Sequence, residues 1–275
     1  MNRLALIVAL FCSGPLAAET AVSVPVLPDG AHTQWVVSAP EEIVTYLAFD
    51  PATVRRRLPA DLRFITIGEL ASGGVDWARE FLVEHPTKQQ WGISFFEILR
   101  TGTFLIDRHP VAWPMDGAAA LWFARVAPSA AETDLGFGRP FLVLDFWMPD
   151  RAYVDYMIAK GYYATYGDVR LRQGSSGKWS ASLAVEDLSI MGECEPAGPV
   201  TGGPASAGSQ SIFPPALSSI TEVVRVAFAG HREQACGGTP SLTLRGEHPL
   251  ARSIVLGPPT FQFGYELRGG TYPRP

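Results

Sequence analysis

Lysine is scarce in this 275-residue chain, in which only Lys88, Lys160 and Lys178 accompany nineteen arginines. Any reaction that needs a side-chain amine therefore has three candidates. Charged residues make up only 18% of the chain and the net charge is −5, so the sequence lacks the basic surface with which nucleic-acid-binding proteins neutralise phosphates. Hydrophobic residues make up 47%, which excludes a disordered chain, because burial of so much apolar surface offsets the entropy of ordering.

Long hydrophobic runs are also lacking. The run Leu4–Phe11 near the N-terminus is too short to span a bilayer as a helix. It follows Arg3 and precedes small residues that end at Ala18, which is the pattern of a secretory signal. We predict that residues 1–18 are removed on export, and that the mature protein is periplasmic or secreted and has no integral membrane segment. The alternative is a short N-terminal helix of the fold.

Cysteine is rare as well, with three in the chain, and signal removal would take Cys12 away. The remaining two, Cys194 and Cys236, predict one disulfide in an exported protein; the alternative is two separate buried thiols. The five histidines lie at least 17 residues apart in sequence. No histidine pair has metal-ligand spacing, so we expect neither a metal nor another cofactor.

Most of the mature chain, residues 19–275, reads as strands of a single domain. Glu42–Phe49 and Ile93–Arg100 are rich in β-branched and aromatic residues, whereas Pro140–Met148 is a nearly continuous apolar run. The predicted class is α+β, mainly antiparallel, with a large curved sheet or a closed β-barrel and a few short helices. Residues 196–211 are rich in Gly, Pro and Ser, which predicts a surface loop.

Short helices are predicted at two capping signals. Asp50 can cap a helix that Pro51 begins, and Asp150 can cap a helix that runs to Lys160 and stops at Gly161.

Two features suggest a site. Glu97 is a lone carboxylate in an aromatic strand, on the same predicted face as Phe95; it is either an exposed strand residue or an acid or base in a cavity. Five of the eight tyrosines fall within fourteen residues, and they are either amphipathic packing or the wall of a ligand pocket. These tyrosines are Tyr153, Tyr156, Tyr162, Tyr163 and Tyr166.

The order of these elements resembles the acetoacetate decarboxylase family over roughly residues 43–267. The resemblance rests on a strand, short helix, Leu-Pro and second strand at Thr45–Phe64, and on a strand that carries an aromatic residue, one further residue and a glutamate at Phe95–Glu97. It continues through the apolar strand, the helix from Asp150, the segment Gly161–Thr165 and a hairpin, and ends in a strand before Leu267. This resemblance implies a fold of the acetoacetate decarboxylase type and Glu97 as a catalytic carboxylate.

The resemblance also implies a lysine that forms a Schiff base with a β-keto acid. The paired lysines of the family fall on Ala164 and Thr165, and the family arginine falls on Pro40. Lys160 lies four or five residues earlier than the family lysines. The resemblance therefore implies Schiff-base chemistry, whereas the residues of this chain place no lysine where that chemistry needs one.

Three functions follow as hypotheses. The first is an exported protein with an internal pocket for a small carbonyl or carboxylic ligand, lined by Phe95, Glu97, Tyr162, Tyr163 and Tyr166. The second is an active carboxy-lyase that uses Lys160. The third is a non-catalytic structural or interaction module. Assembly into a homo-oligomer is compatible with all three, and nothing in the sequence sets its stoichiometry.

Overall fold

The computed structural model describes residues 29–31, 33–38, 40–101, 103–106, 109–110, 118–129, 139–203, 207–215 and 222–273. The predicted signal, residues 1–18, lies outside these residues.

Strands make up most of the described chain. They are β1 Thr33–Ser38, β2 Glu41–Phe49, β3 Leu62–Phe64, β4 Gly92–Arg100, β5 Thr103–Ile106, β6 His109–Pro110, β7 Ala119–Pro128, β8 Arg139–Met148, β9 Ala164–Tyr166, β10 Asp168–Gln173, β11 Trp179–Val185, β12 Leu188–Gly202, β13 Ala207–Phe213, β14 Glu222–Ala229, β15 Arg232–Gly246, β16 Ile254–Val255, β17 Thr260–Phe263 and β18 Glu266–Pro273. The α-helices are α1 Ile67–Ser72, α2 Asp76–Glu84 and α3 Arg151–Ala159, and two 3₁₀ helices span Pro51–Arg57 and Pro249–Arg252.

The strands pair along one open path. Its order is β10, β11, β12, β15, β17, β2, β4, β7, β8, β13, β14, β18, β1, β5, β6. Every step is antiparallel except β8–β13, and β9 adds a second parallel pairing on β8. The large, mainly antiparallel sheet is therefore confirmed. Among the described strands the path does not close on itself, so the closed barrel, the other architecture that the sequence allowed, is not the one adopted.

The strands β2, β4, β7 and β8 present two distinct faces because successive side chains point to opposite sides. The core face carries fully buried residues such as Leu47, Phe96, Ile98 and Trp122. The opposite face, which lines a cavity and is called the cavity face below, carries the alternate residues of each strand, including Glu97. The predicted shared face of Phe95 and Glu97 is confirmed, since both line the cavity, whereas Phe96 between them packs in the core.

A β-bulge in β8 decides which face its polar residue joins. Phe123 pairs with Val143, but Trp122 pairs with Asp145, so Leu144 is an extra residue in β8. Simple alternation from Val143 would turn Asp145 toward the cavity face. The bulge instead places Asp145 on the core face and turns Phe146 toward the cavity.

Asp145 is part of a buried polar cluster on the core face. It pairs with the guanidinium of Arg57, and Nε2 of His248 lies 3.4 Å from its Oδ2. Nδ1 of His248 accepts a hydrogen bond of 3.2 Å from the backbone N–H of Leu250. The cluster therefore fastens both 3₁₀ helices to the sheet.

The predicted disulfide forms between Cys194 in β12 and Cys236 in β15, with the Cα atoms 4.8 Å apart. Both cysteines are buried in the core cluster. The cross-link joins two strands that already pair with each other and lies beside the irregularity between Glu193 and Glu195.

The Gly/Pro/Ser-rich segment 196–211 differs from the predicted loop. Strand β12 continues to Gly202 and pairs with β15, for example through Ala197 and Ala235. Strand β13 begins at Ala207 and pairs with β8 and β14. The loop prediction from composition is wrong for these paired residues, because neighbouring strands supply backbone hydrogen bonds that override weak local strand propensity.

Helix prediction succeeded where capping side chains were recognised. Asp50 and Asp150 cap helices as expected, and the Asp150 side chain accepts a 2.9 Å hydrogen bond from the N–H of Tyr153. The sequence also predicts a strand over Leu62–Ile67, but in the structure this strand ends at Phe64. Thr66 and Glu69 form a capping box that starts α1 at Ile67, a signal that the strand prediction overlooked.

Candidate functional site

A cavity of about 300 Å³ lies on the cavity face of β2, β4, β7 and β8. Alternation along each strand brings its lining together. The cavity-facing residues of these strands are Glu42, Val44, Tyr46, Phe95, Glu97, Leu99, Ala119, Leu121, Phe123, Phe141, Val143 and Phe146. The wall is therefore apolar and aromatic, with two carboxyl groups.

Other elements complete the lining of the cavity. Helix α3 and its C-terminal turn contribute Tyr153, Tyr156, Met157, Lys160 and Tyr162. Strands β13, β14 and β18 contribute mainly aliphatic side chains such as Ile212, Val226 and Leu267. The cavity thus depends on segments that are far apart in sequence.

The C-terminus of α3 fixes the position of Tyr162. The N–H of Gly161 donates to the carbonyl of Ile158 at 2.8 Å, and the N–H of Tyr162 donates to the carbonyl of Met157 at 3.0 Å. These two bonds form a Schellman motif, and Gly161 adopts the required left-handed conformation with φ of 81°. The motif brings Met157 and Tyr162 together at the cavity wall.

The two carboxyl groups occupy diagonal positions on neighbouring strands. Glu97 in β4 pairs with Val44 in β2, and Leu99 pairs with Glu42. Diagonal positions on one face lie about 7–8 Å apart between Cα atoms, so both side chains reach the same part of the cavity. In the described part of the chain neither carboxylate forms an ion pair.

Burial changes the acidity of both groups. Loss of solvation raises the pKa of Glu42, and a hydrogen bond from the Tyr265 hydroxyl lowers it in part. The resulting pKa of Glu42 is about 7. Loss of solvation, together with the nearby Glu42 charge, raises the pKa of Glu97 well above its usual range. The two groups therefore differ in environment: Glu42 has a hydrogen-bond donor, whereas Glu97 has none among the residues that the structure describes.

Further polar groups line the same cavity. His231 is buried and lies 2.7 Å from Gln262, so its Nε2 donates to the amide Oε1 of Gln262. Burial lowers the pKa of His231. The hydroxyls of Thr101 and Thr271 are buried without a hydrogen-bond partner among the described residues, so a polar ligand can bond to them.

The structure brings together four of the residues predicted for a site, namely Phe95, Glu97, Lys160 and Tyr162. Lys160 is half-buried at the end of α3, and its Nζ lies 6.0 Å from the centre of the Tyr156 ring.

Two predicted pocket tyrosines lie elsewhere. The guanidinium of Arg57 lies 4.5 Å from the ring centre of Tyr163, on the side of the core-face cluster. Tyr166 is 49% exposed and lies beside Arg151. Neither is among the described cavity-lining residues.

The positions that the resemblance aligns with the family lysines lie on β9. Ala164 pairs with Phe146 and packs against the cluster that contains Ala119. Thr165 pairs with Trp147 and is exposed. Of the two, Ala164 is thus the position on the cavity side.

Sequence reasoning missed Glu42, His231 and Tyr265 as site residues. Glu42 carried a usable signal, because it shares strand parity with Val44 and Tyr46. That signal became informative only once β2 was paired with β4, and the approach of Tyr265 has no local signature at all.

The described residues contain neither a metal-binding cluster nor a helix that could span a membrane. No group of three or more His, Cys, Asp and Glu side chains could hold a metal ion there. No helix in that part of the chain is long and apolar enough to cross a membrane.

Several solved structures have a similar fold. The enduracididine biosynthesis enzyme MppR with HEPES bound is 13% identical, with 95% of this chain and 97% of that chain covered and a TM-score of 0.52. MppR complexed with pyruvate is 12% identical, with coverage of 89% and 91% and a TM-score of 0.51. An acetoacetate decarboxylase-like enzyme from Sphingomonas wittichii RW1 is 14% identical, with coverage of 94% and 98% and a TM-score of 0.48.

No protein-family model and no curated protein matches the sequence. The similarity to solved structures is therefore one of fold, and it covers nearly the whole chain. The chain has the fold of MppR, and its resemblance to acetoacetate decarboxylase-like proteins is confirmed at the level of the fold.

Proposed function

We propose that this protein binds a small carbonyl or carboxylic compound in the cavity beside Glu97. The observation that carries the proposal is the Glu97 carboxyl group, which lines an apolar cavity and has no ion-pair partner among the described residues. Burying such a group costs free energy unless something bonds to it. A ligand that accepts its proton in a hydrogen bond would offset that cost.

The protonation state of Glu97 supports an acceptor as ligand. Burial raises the pKa of Glu97 well above its usual range, which favours the neutral acid, and a neutral carboxyl group can donate to a carbonyl oxygen. The aromatic wall, with Phe95 and Phe123 stacked at 4.7 Å between ring centres, suits the apolar part of such a molecule. The MppR complex with pyruvate supports a small carbonyl ligand for this fold.

The proposal includes the absence of a Schiff-base lysine at the family position. Ala164 and Thr165 carry no amine, and the pairing of Ala164 with Phe146 supports its equivalence to a cavity-facing family lysine. Introducing Ala164→Lys tests this equivalence. Borohydride in the presence of acetoacetate should then trap an adduct on residue 164; no adduct on a folded variant would refute the alignment.

Ligand binding is tested by calorimetry with acetone, butanone, pyruvate, acetoacetate and hexanoate. The cavity is blocked by Leu121→Trp, because Leu121 pairs with Glu97 and lines the cavity. The matched control is Met191→Trp, a position that is 63% exposed. Binding by the wild type and control but not by Leu121→Trp supports the proposal. No binding by the wild type would instead favour the structural or interaction module.

A second candidate function is a carboxy-lyase that uses Lys160. The observation in its favour is that Lys160 lines the same cavity as Glu97. An unprotonated amine there could attack a β-keto acid. Borohydride with acetoacetate should trap wild-type Lys160, and Lys160→Ala should abolish both trapping and decarboxylation. Failure to trap would eliminate this candidate.

We also propose export, on the N-terminal signal pattern. Expression of the full chain with mass analysis of the product tests it. Recovery from the periplasm or medium, with an N-terminus near residue 19, is expected. A cytoplasmic product that retains Met1 would contradict the proposal.

A further inference from the structure

Two carboxyl groups with different surroundings face the same cavity. Glu42 accepts a hydrogen bond from Tyr265, which favours its ionised form. Glu97 has no such donor among the described residues and lies near the Glu42 charge, so its neutral form is favoured. When the environments of two carboxyl groups separate their pKa values in this way, one group can serve as a base and the other as an acid.

We propose that Glu42 and Glu97 together catalyse enolisation of the carbonyl compound bound in the cavity, without an amine. The inference rests on the proposed function, since it needs a bound ketone or keto acid. It adds a reaction, and it assigns a role to Glu42, to which the resemblance gives none.

The step is balanced within the pair. The Glu42 carboxylate removes a proton from the carbon next to the carbonyl, and the C–H electron pair becomes the C=C bond. The carbonyl π electrons move to oxygen, which takes the proton of Glu97. The products are the enol, protonated Glu42 and ionised Glu97.

Reversal of this step restores both groups. If the acid proton of Glu42 exchanges with solvent before the return, a solvent proton enters the α-carbon. The cycle needs no oxidant, reductant or further reactant, and the pair carries one proton throughout.

Other titratable groups face the pair from the surrounding elements. They are Tyr46 from β2, Tyr153, Tyr156 and Lys160 from α3, Tyr162 after it, His231 before β15, and Tyr265 between β17 and β18. His231 stays neutral near pH 7, because burial lowers its pKa. Burial raises the pKa of Glu42 to about 7, so ionisation of Glu42 is expected to set the rising limb of the pH profile.

The test is α-hydrogen exchange of butanone in D₂O, followed by proton NMR. The wild type should exchange butanone faster than buffer alone. Glu42→Gln and Glu97→Gln should each lower the enzymatic rate by at least about 100-fold, since general acid–base groups contribute about 10²–10⁴. Glu193→Gln, an exposed carboxylate paired with Lys178, is the matched control and should retain the rate.

A second measurement does not depend on how the variants fold. In the wild type the exchange rate should rise as pH increases through about 7, where Glu42 ionises, and fall again when Glu97 loses its proton. Exchange with no rising limb in that range would overturn the assignment of Glu42 as the base.

The outcomes separate this inference from the proposed function. Butanone that binds by calorimetry but exchanges no faster than in buffer refutes enolisation and leaves ligand binding intact. If no carbonyl compound binds, both fail. If borohydride abolishes the exchange and leaves an adduct on Lys160, the reaction proceeds through an imine. That result also refutes catalysis by the carboxyl pair.

Discussion

The two faces of the sheet formed by β2, β4, β7 and β8 differ in how their carboxyl groups are paired with cations. On the core face, Asp145 is 6% exposed and pairs with both Arg57 and His248. On the cavity face, Glu42 is equally buried and Glu97 half-buried, and neither pairs with a cation among the described residues. On the cavity face, burial raises the pKa of both Glu42 and Glu97.

This difference is the one expected between a carboxylate that holds structure together and a carboxylate that serves in a site. Paired charges in a packed core hold elements in place, and removing one partner is costly. Unpaired carboxyl groups beside a cavity keep free hydrogen-bonding capacity at the expense of stability, as is typical of binding and catalytic sites. The comparison can be tested by breaking each face separately.

The largest effect is expected from the disulfide that joins β12 and β15 within the core cluster. Replacing Cys194 and Cys236 by Ala should lower the free energy of unfolding by about 4 kcal/mol, because the cross-link closes a loop with a sequence separation of 42. Urea unfolding of the oxidised wild type and the double variant measures it. Equal stabilities would contradict the prediction, and ligand binding should survive in the folded variant.

The next largest effect is the pH dependence of stability that Glu42 causes on the cavity face. Because the pKa of Glu42 rises from 4.5 to about 7 on folding, the folded wild type binds more protons than the unfolded chain. Its stability should therefore fall as pH rises from 4.5 through 7, by on the order of 3 kcal/mol relative to Glu42→Gln. Urea unfolding at pH 5 and pH 8 measures the difference.

The control for this pH effect is Glu193→Gln, in which an exposed carboxylate is removed. It should keep the wild-type dependence on pH. A Glu42→Gln variant with the same pH dependence as the wild type would show that Glu42 ionises as freely in the folded protein as in the unfolded chain.

A smaller loss is expected on breaking the paired cluster. Asp145→Asn keeps the shape of the side chain but leaves the Arg57 guanidinium without its counter-charge. We expect a loss of about 2–3 kcal/mol, at the low end for buried pairs because Arg57 retains 20% exposure. Chemical denaturation measures it, with Asp168→Asn in an exposed pair as control at under about 0.5 kcal/mol. Equal effects of the two substitutions would remove the distinction.

The smallest effect concerns the junction of α3 with the cavity. Gly161→Ala forces a side chain into a left-handed conformation and should cost about 1 kcal/mol. Because the Schellman motif positions Tyr162, ligand affinity should fall as well. Thermal unfolding with calorimetry measures both, and Ser176→Ala in the β10–β11 turn is the control. A variant with unchanged stability would argue against the motif.

Local signals in the sequence predicted many elements of the fold correctly. The apolar strand before Asp50, the capped helix after Asp150 and the hairpin of β10 and β11 depend on neighbouring residues only. The segment 196–211 was mispredicted because its strands are held by β15, β8 and β14, which composition does not reveal.

The site was predictable only in part for the same reason. Strand parity placed Phe95 with Glu97, and the helix cap placed Tyr162 near the end of α3. Parity could not predict that Glu42 lies diagonal to Glu97, since this depends on the register of β2 against β4.

The sequence by itself determined the alternation of the strands, the helix caps, the two cysteines of the disulfide and the absence of lysine at positions 164 and 165. Tertiary structure decided which carboxyl groups meet. The bulge at Leu144 turned Asp145 away from the cavity, and the β2–β4 register brought Glu42 toward it. The physical reason is that a shift of one residue reverses the face of every side chain beyond it, and strand pairing between distant segments fixes that shift.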